Sequence, residues 1–150
     1  MIQIRKIKPE DTGFVIDIIL RYGLNKGKLL SNIESFLICE DDNVKCGCGC
    51  MVPFKGKGYV NWIIVNEDHR RKKLGSAITK ALLNIADQQG IEEVYAAGNC
   101  GSFLTALGFD KQDSDAVRND FITAIGDTGA SEYYKVSLDG YFKPCSCNNS

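Results

Sequence analysis

Residues 59–83 read YVNWIIVNEDHRRKKLGSAITKALL, and the rest of the chain is organised around them. Positions 59–65 alternate and are rich in β-branched and aromatic types, which predicts a buried strand. From Leu74 the apolar residues Leu74, Ala77, Ile78, Ala81, Leu82 and Ile85 make the stripe of an amphipathic helix. Between the two the chain turns through Arg70, Arg71, Lys72, Lys73 and Gly75. The first turn of a helix has backbone N–H groups without intrahelical partners and a partial positive charge, so four cations there are unfavourable on their own. An anion seated on the turn would reverse that, and a phosphate is the expected one.

Working outward, Gly90 suits the end of that helix. Positions 93–97 predict a short strand, parallel to 59–65 because a helix joins them. Gly98, Asn99, Cys100 and Gly101 then open a further helix over 102–107, closed by Gly108 and Phe109. Toward the N-terminus, 2–7 alternates as a strand. Pro9, Glu10 and Asp11 suit the opening of a helix running to about residue 24 and burying Val15, Ile18, Ile19 and Tyr22. A break at 23–27 precedes a short helix over 28–33. Strands over 35–40 and 44–52, joined by Asp41, Asp42 and Asn43, read as a hairpin, and 53–58 turns into the key strand. Residues 110–130 are polar and irregular with a helix around 114–125. A last strand spans 131–138, and 139–150 is a loose polar tail.

The chain has 150 residues, with 18 Lys and Arg against 19 Asp and Glu and a net charge of −1. This length predicts one domain over 1–150. The near-zero charge makes the basic run a local feature and argues against nucleic-acid binding. No stretch is long and apolar enough to predict a membrane span. The opening segment is strand-like and charged, not a signal peptide, and seven Cys without such a signal predict reduced thiols in the cytoplasm. Cys46, Cys48 and Cys50 are predicted to share one strand face with Gly47 and Gly49 on the other. Same-face neighbours on a strand lie about 6.5–7 Å apart. Two sulfurs on one zinc, each about 2.3 Å from it, must lie within roughly 4 Å of each other. Core packing is therefore the expectation and no metal is predicted, although Cys145 and Cys147 could add ligands.

The pattern Val65-x-x-x-x-Arg70-x-x-Lys73-Leu74-Gly75-Ser76-Ala77 resembles the coenzyme A pyrophosphate loop of the GNAT superfamily of N-acetyltransferases, (Q/R)-x-x-G-x-(G/A) between a strand and a helix. Arg70 and Gly75 match, whereas Lys73 stands at the usual first Gly and must adopt the backbone that Gly allowed, its side chain clashing with the phosphate or clamping it. Downstream, Asn99, Phe103, Gly108 and Phe109 also resemble the family, while Leu104 occupies its usual Tyr position. The resemblance covers about residues 36–138 and is strongest over 59–109. It implies an α/β (α+β) fold: a mixed, mostly antiparallel central sheet, splayed parallel strands at 59–65 and 93–97, and helices on both faces. It implies acetyl-CoA as acyl donor, held by Ile63, Ile64, Val65, Arg70, Arg71, Lys72, Lys73, Leu74, Gly75, Ser76, Asn99 and Phe103. It places Tyr22, Leu24 and Asn25 near the acceptor, a primary amine of a small molecule or peptide. A homodimer paired through the last strand is a further expectation.

In this reading strand edges that part at their C-terminal ends bind the pantetheine arm, and the N–H of Val65 or the residue before it stabilises the oxyanion. The acceptor must attack as a neutral amine, so a base is needed. Glu67, with Asp68, His69, Glu40 and Asn61 also in range, is a candidate; so is a bland role for the acids as a solvated loop. With Leu104 in place of the Tyr, Tyr134 or Tyr133 is left to protonate the thiolate, and Cys100 is either structural or a nucleophile. Loss of that Tyr also fits a coenzyme A-binding sensor without turnover, and a nucleic-acid patch over 69–73 is the third alternative.

Overall fold

The computed structural model describes residues 1–98 and 101–142, with the backbone alone at Arg71 and Lys72. β1 (Ile2–Lys6) leads through a 3-10 turn (Pro9–Asp11) into α1 (Thr12–Arg21). A kinked 3-10 segment (Leu30–Ser35) precedes β2 (Phe36–Asp41), β3 (Val44–Phe54) and β4 (Lys57–Val65). A third 3-10 segment (Glu67–Lys72) opens α2 (Leu74–Gln88), followed by β5 (Glu93–Ala97), α3 (Gly101–Ala106), β6 (Asp110–Gln112), α4 (Asp115–Ala124) and β7 (Tyr133–Ser137). The seven strands form one sheet in the order β1-β2-β3-β4-β5-β7-β6. Every pairing is antiparallel except β4 with β5. One core cluster joins α2 and α3 to one face, and a second joins α1 and α4 to the other. The mixed sheet with helices on both faces is thus the predicted architecture. Among the described residues no helix is long and apolar enough to cross a membrane.

Several boundaries differ from the sequence reading, each for a local reason. α1 stops at Arg21, not near 24, because Gly23 turns left-handed at φ 71° and the N–H groups of Gly23 and Leu24 close onto the carbonyls of Leu20 and Ile19. Tyr22 is consequently half-buried and free to face the sheet end. The buried stripe of α2 is rotated from the one expected: Leu74, Ile78, Leu82, Leu83 and Ala86 are fully buried with Thr79, while Ala77, Ala81 and Ile85 sit at the margin. The polar stretch after Phe109 holds β6 and α4, the latter capped by Ser114, whose hydroxyl accepts the Val117 N–H at 3.4 Å.

Period-two alternation fails at two bulges. Cys39 faces Gly47 and Glu40 faces Lys45, so Cys46 is an extra residue on β3. It turns to the α2 face, its Sγ 3.7 Å from that of Cys39, whereas Cys48 and Cys50 pack on the α1 face. The expectation that Cys46, Cys48 and Cys50 share one face is therefore wrong, because it assumed unbroken pleating. All three are fully buried. Burial pushes the Cys39 and Cys48 thiols up to about 12 and raises Cys50 as well, so these are unreactive core thiols. Gly47 and Gly49 serve α2: a Cβ on Gly49 would lie 2.7 Å from the Ile78 side chain.

The second bulge is in β4. Cys48 pairs with Ile64 and Cys50 with Asn61, leaving Trp62 and Ile63 opposite Gly49 alone. Trp62 takes φ 54°, a left-handed conformation that a bulky residue adopts only when its surroundings hold it there. They do: its ring stacks on Phe36 at 5.6 Å and its Nε1–H donates to the Asn25 carbonyl at 2.9 Å. Unbroken alternation would have put Trp62 beside Val60; it lies instead in the cluster of Tyr59.

Candidate active site

The parallel pair β4–β5 is joined at three positions only, Gly58 with Val94, Tyr59 with Tyr95 and Val60 with Ala96. Beyond Val60 the strands separate. The edge of β4 over 61–65 thus has no ladder partner on β5, and the bulge at Trp62 and Ile63 breaks the ladder with β3 as well. A cleft of about 830 Å³ opens here, floored by Val60 to Val65 and walled by Ala96, Ala97, Gly98, Phe103 and Leu104. It is a mostly apolar trough with peptide groups exposed along one strand, suited to an extended ligand carrying amides.

One end of the cleft is the start of α2, lined by Arg70, Lys73, Gly75 and Ser76. Lys73 stands at φ 57°, ψ 33°, the left-handed turn between the 3-10 segment and the helix, and its side chain is exposed. Thus it does take the backbone that a Gly would favour. Gly75 faces Phe103 across the cleft; a Cβ there would lie in ordinary contact with the Phe103 ring, at 3.6 Å. Leu74 points the other way, into the core. The backbone at Arg71 and Lys72 belongs to the same turn, and Asn99 lies outside the described residues.

The other end is the loop after α1. Tyr22, Leu24 and Asn25 line the cleft, held by the Trp62–Asn25 hydrogen bond and by the Glu67 N–H, which donates to Tyr22 Oη at 3.1 Å. The Arg70 guanidinium lies 4.9 Å over the Tyr22 ring, and its Nε–H donates to the Val65 carbonyl at 2.9 Å. Downstream the loop is docked on the end of α4: the Lys28 N–H donates to Ile125 O at 2.7 Å, Lys28 Nζ to Thr123 O at 2.7 Å and Asn32 Nδ2 to Ala124 O at 3.0 Å. Those three carbonyls are the orphan acceptors of a helix C-terminus. Thr128, Gly129 and Ala130 complete this wall. The sequence reading missed them, since a polar connection between elements carries no periodicity that marks what it lies against.

Of the candidate proton carriers, Asn61 lines the cleft. Glu67 and Asp68 are exposed and do not line it. His69 Nε2 is 3.9 Å from Asp41, and Glu40 accepts from Arg5 at 2.9 Å. Tyr133 packs on Phe121 at 5.4 Å. Tyr134 donates to Glu132 at 2.8 Å, and the absence of a side chain at Gly101 makes room for its hydroxyl at the start of α3. Among the described residues no Asp, Glu or His lines the cleft, and no group of side chains could hold a metal ion. Cys100, Cys145 and Cys147 lie outside the described residues.

A strand pair that parts halfway, a bulge at the parting and a cationic helix start below it define the class. A model of the acetyltransferase (GNAT) family matches residues 5–109, and the chain belongs to that family. It is 26% identical over 102 residues to the amino-acid acetyltransferase of Yersinia enterocolitica, covering 62% of this chain and 23% of that protein, so it spans under a quarter of that relative's length. The GNAT-family acetyltransferase of Staphylococcus aureus Mu50 superposes with a TM-score of 0.78 at 16% identity, covering 92% of this chain and 99% of that one. The N-acetylglutamate synthase of Neisseria gonorrhoeae, solved with coenzyme A and N-acetyl-glutamate, gives 0.77 at 18% identity over 92% of this chain and 35% of that one. At these identities the structural likeness is one of fold.

Proposed function

We propose that this domain is an acetyl-CoA-dependent N-acetyltransferase that moves the acetyl group to a primary amine of a small molecule or peptide by direct attack in a ternary complex. The observation that carries this is the parting of β4 and β5 after Val60, above the start of α2. The pyrophosphate would rest on the amides of that first turn with Lys73 beside it, and the pantetheine arm along the free edge of β4. The N–H of Val65 or that of Ile64 before it would meet the developing oxyanion, a donor worth about 3–4 kcal/mol of barrier. Asn61 would orient the amine or a water that takes its proton, and Tyr134 of β7, which does not line the cleft and donates to Glu132, would supply the thiol proton only through water. Glu67 can act only through water from its exposed position. Four buried free thiols suit the reducing cytoplasm.

The decisive experiment is calorimetry of acetyl-CoA binding with Gly75→Trp. The indole would fill the gap to Phe103, so we expect binding to weaken by at least about tenfold, or 1.4 kcal/mol, with the melting temperature of the free protein little changed. Unchanged affinity would move the site off this loop. The bare cleft, which among the described residues has no carboxylate or imidazole and has Leu104 in its wall, favours a second reading, an acyl-CoA sensor. Release of free thiol from acetyl-CoA over a panel of amines separates the two, since a sensor binds and releases none.

A further inference from the structure

We propose that Tyr22 couples the two ends of the cleft, so that filling the diphosphate site at the start of α2 orders the wall where the acceptor binds. The inference deepens the transferase reading above and rests on it for the place of the donor. Three contacts join the end of α1 to the 3-10 segment that opens α2. Arg21 Nη1 donates to Asn66 Oδ1, but that bond is long, 3.4 Å, and Arg21 is exposed. The other two converge on Tyr22, which is half-buried and lines the cleft. The Glu67 N–H donates to its Oη at 3.1 Å, and the Arg70 guanidinium lies 4.9 Å over its ring. A side chain of the acceptor loop is thus held, at its hydroxyl and on its face, by the segment that carries the cations. Arg70 serves both partners. Its Nε–H donates to Val65 O and one face of its plane lies on the ring, so the Nη groups can meet the diphosphate without giving up Tyr22.

The 3-10 segment gains order from an anion. Its hydrogen bonds are poorer than those of an α-helix, and the consecutive cations from Arg70 to Lys73 repel one another until negative charge is seated among them. Leu24 and Asn25 follow Tyr22 closely in the chain and line the acceptor end. Their loop is pinned further on by contacts outside the cationic turn, Trp62 Nε1–H to Asn25 O at 2.9 Å and the Lys28 N–H to Ile125 O at 2.7 Å. Tyr22 is therefore the point at which order in the donor turn passes to the loop. Binding that stiffens the turn lowers the ordering cost left for the next ligand, which is positive coupling without a change of shape. By linkage the acceptor tightens the donor by the same factor.

Amide hydrogen exchange read by mass spectrometry tests this with two probes, coenzyme A and adenosine diphosphate. The second carries the diphosphate without the pantetheine arm, so any effect it has on Leu24 and Asn25 must pass through the protein. At concentrations that protect residues 74–78, both probes should slow exchange over 23–27 by about fivefold or more, the low end of coupling between sites. In Tyr22→Leu, adenosine diphosphate should still protect 74–78 while 23–27 exchange as in the free protein. Tyr22→Phe keeps the ring under Arg70 and loses the oxygen that accepts from Glu67, so it should retain part of the response. No slowing over 23–27 in the parent overturns the proposal without any variant. So does equal slowing in Tyr22→Leu, which would route the coupling elsewhere. A response to coenzyme A alone also overturns it, because the pantetheine arm would then act on the loop directly. If neither probe protects 74–78, the donor site leaves α2, and the transferase reading and this inference fall together. The full response with no thiol released from any amine upholds Tyr22 as the link and overturns only the transferase reading, in favour of a sensor.

Discussion

Lys73 is a residue whose backbone and side chain have different uses. Its φ of 57° costs a non-glycine residue about 1–2 kcal/mol, while its ammonium group stands beside the amides that would carry a diphosphate. Lys73→Gly separates the two effects. Relief of the left-handed strain roughly offsets the extra freedom of Gly in the unfolded chain, so stability should change by less than about 1 kcal/mol. Loss of a partly exposed cation should weaken acetyl-CoA binding several-fold, about 0.5–1 kcal/mol, and reduce its salt dependence. Thermal unfolding and calorimetry at two salt concentrations read both. An affinity unchanged at low salt would make Lys73 a mere occupant of a Gly position. Trp62 presents the reverse case: its left-handed backbone is held by contacts, to Phe36 and to Asn25, that no local sequence rule announces.

The elements that matter most are β3, β4 and α2, because their mutual seating sets the cleft. Gly47 and Gly49 let α2 lie close on β3, so the CGCGC run at 46–50 combines buried thiols with helix clearance. A Cβ on Gly47 would lie 2.7 Å from the Ile64 carbonyl oxygen and 3.3 Å from Ile78 Cδ1. The first neighbour is backbone and cannot rotate away. Gly47→Ala should therefore force β3 and β4 apart, costing about 1–3 kcal/mol. Because Ile64 belongs to the floor of the cleft, acetyl-CoA affinity should drop beyond what the stability loss explains. Chemical denaturation and calorimetry on the same preparation test this; a variant as stable and as tight-binding as the parent would show that the seating is looser than the geometry indicates.

Across the whole molecule, one ion-pair network ties the edge of the sheet to the helix beside the cleft. Asp11 is fully buried and accepts from both Nη atoms of Arg5 at 2.7 and 3.1 Å and from the Lys8 N–H at 2.7 Å, with Lys45 Nζ at 2.7 Å. Arg5 also reaches Glu40 at 2.9 Å. The Arg5 hydrogen bonds outweigh the burial that would raise it and hold the Asp11 carboxyl far below the usual carboxylate range. A carboxyl depressed in the folded state binds its proton more readily in the unfolded chain. Its stabilisation is therefore complete above about pH 5 and is lost as pH falls through about 4, the unfolded value, and below. Asp11→Asn should cost about 3 kcal/mol at pH 7, the low end for a broken buried pair, because Arg5 and Lys45 keep some contact with solvent. It should also flatten the fall in melting temperature between pH 7 and 3. An unchanged acid slope would locate the sensitive carboxylate elsewhere. The order of the main elements and the cationic start of α2 were legible in the sequence, because alternation, a helical stripe and Gly positions act through neighbours along the chain. So was the parting of the parallel strands, though only through the resemblance at 65–77 and 99–109. The sides taken by Cys46 and Trp62, the seat of Arg70 over Tyr22, the exposed station of Glu67 and the wall at 128–130 were decided by tertiary structure. Each depends on a contact between residues distant in sequence, and a bulge of one residue is enough to reverse which face a side chain meets.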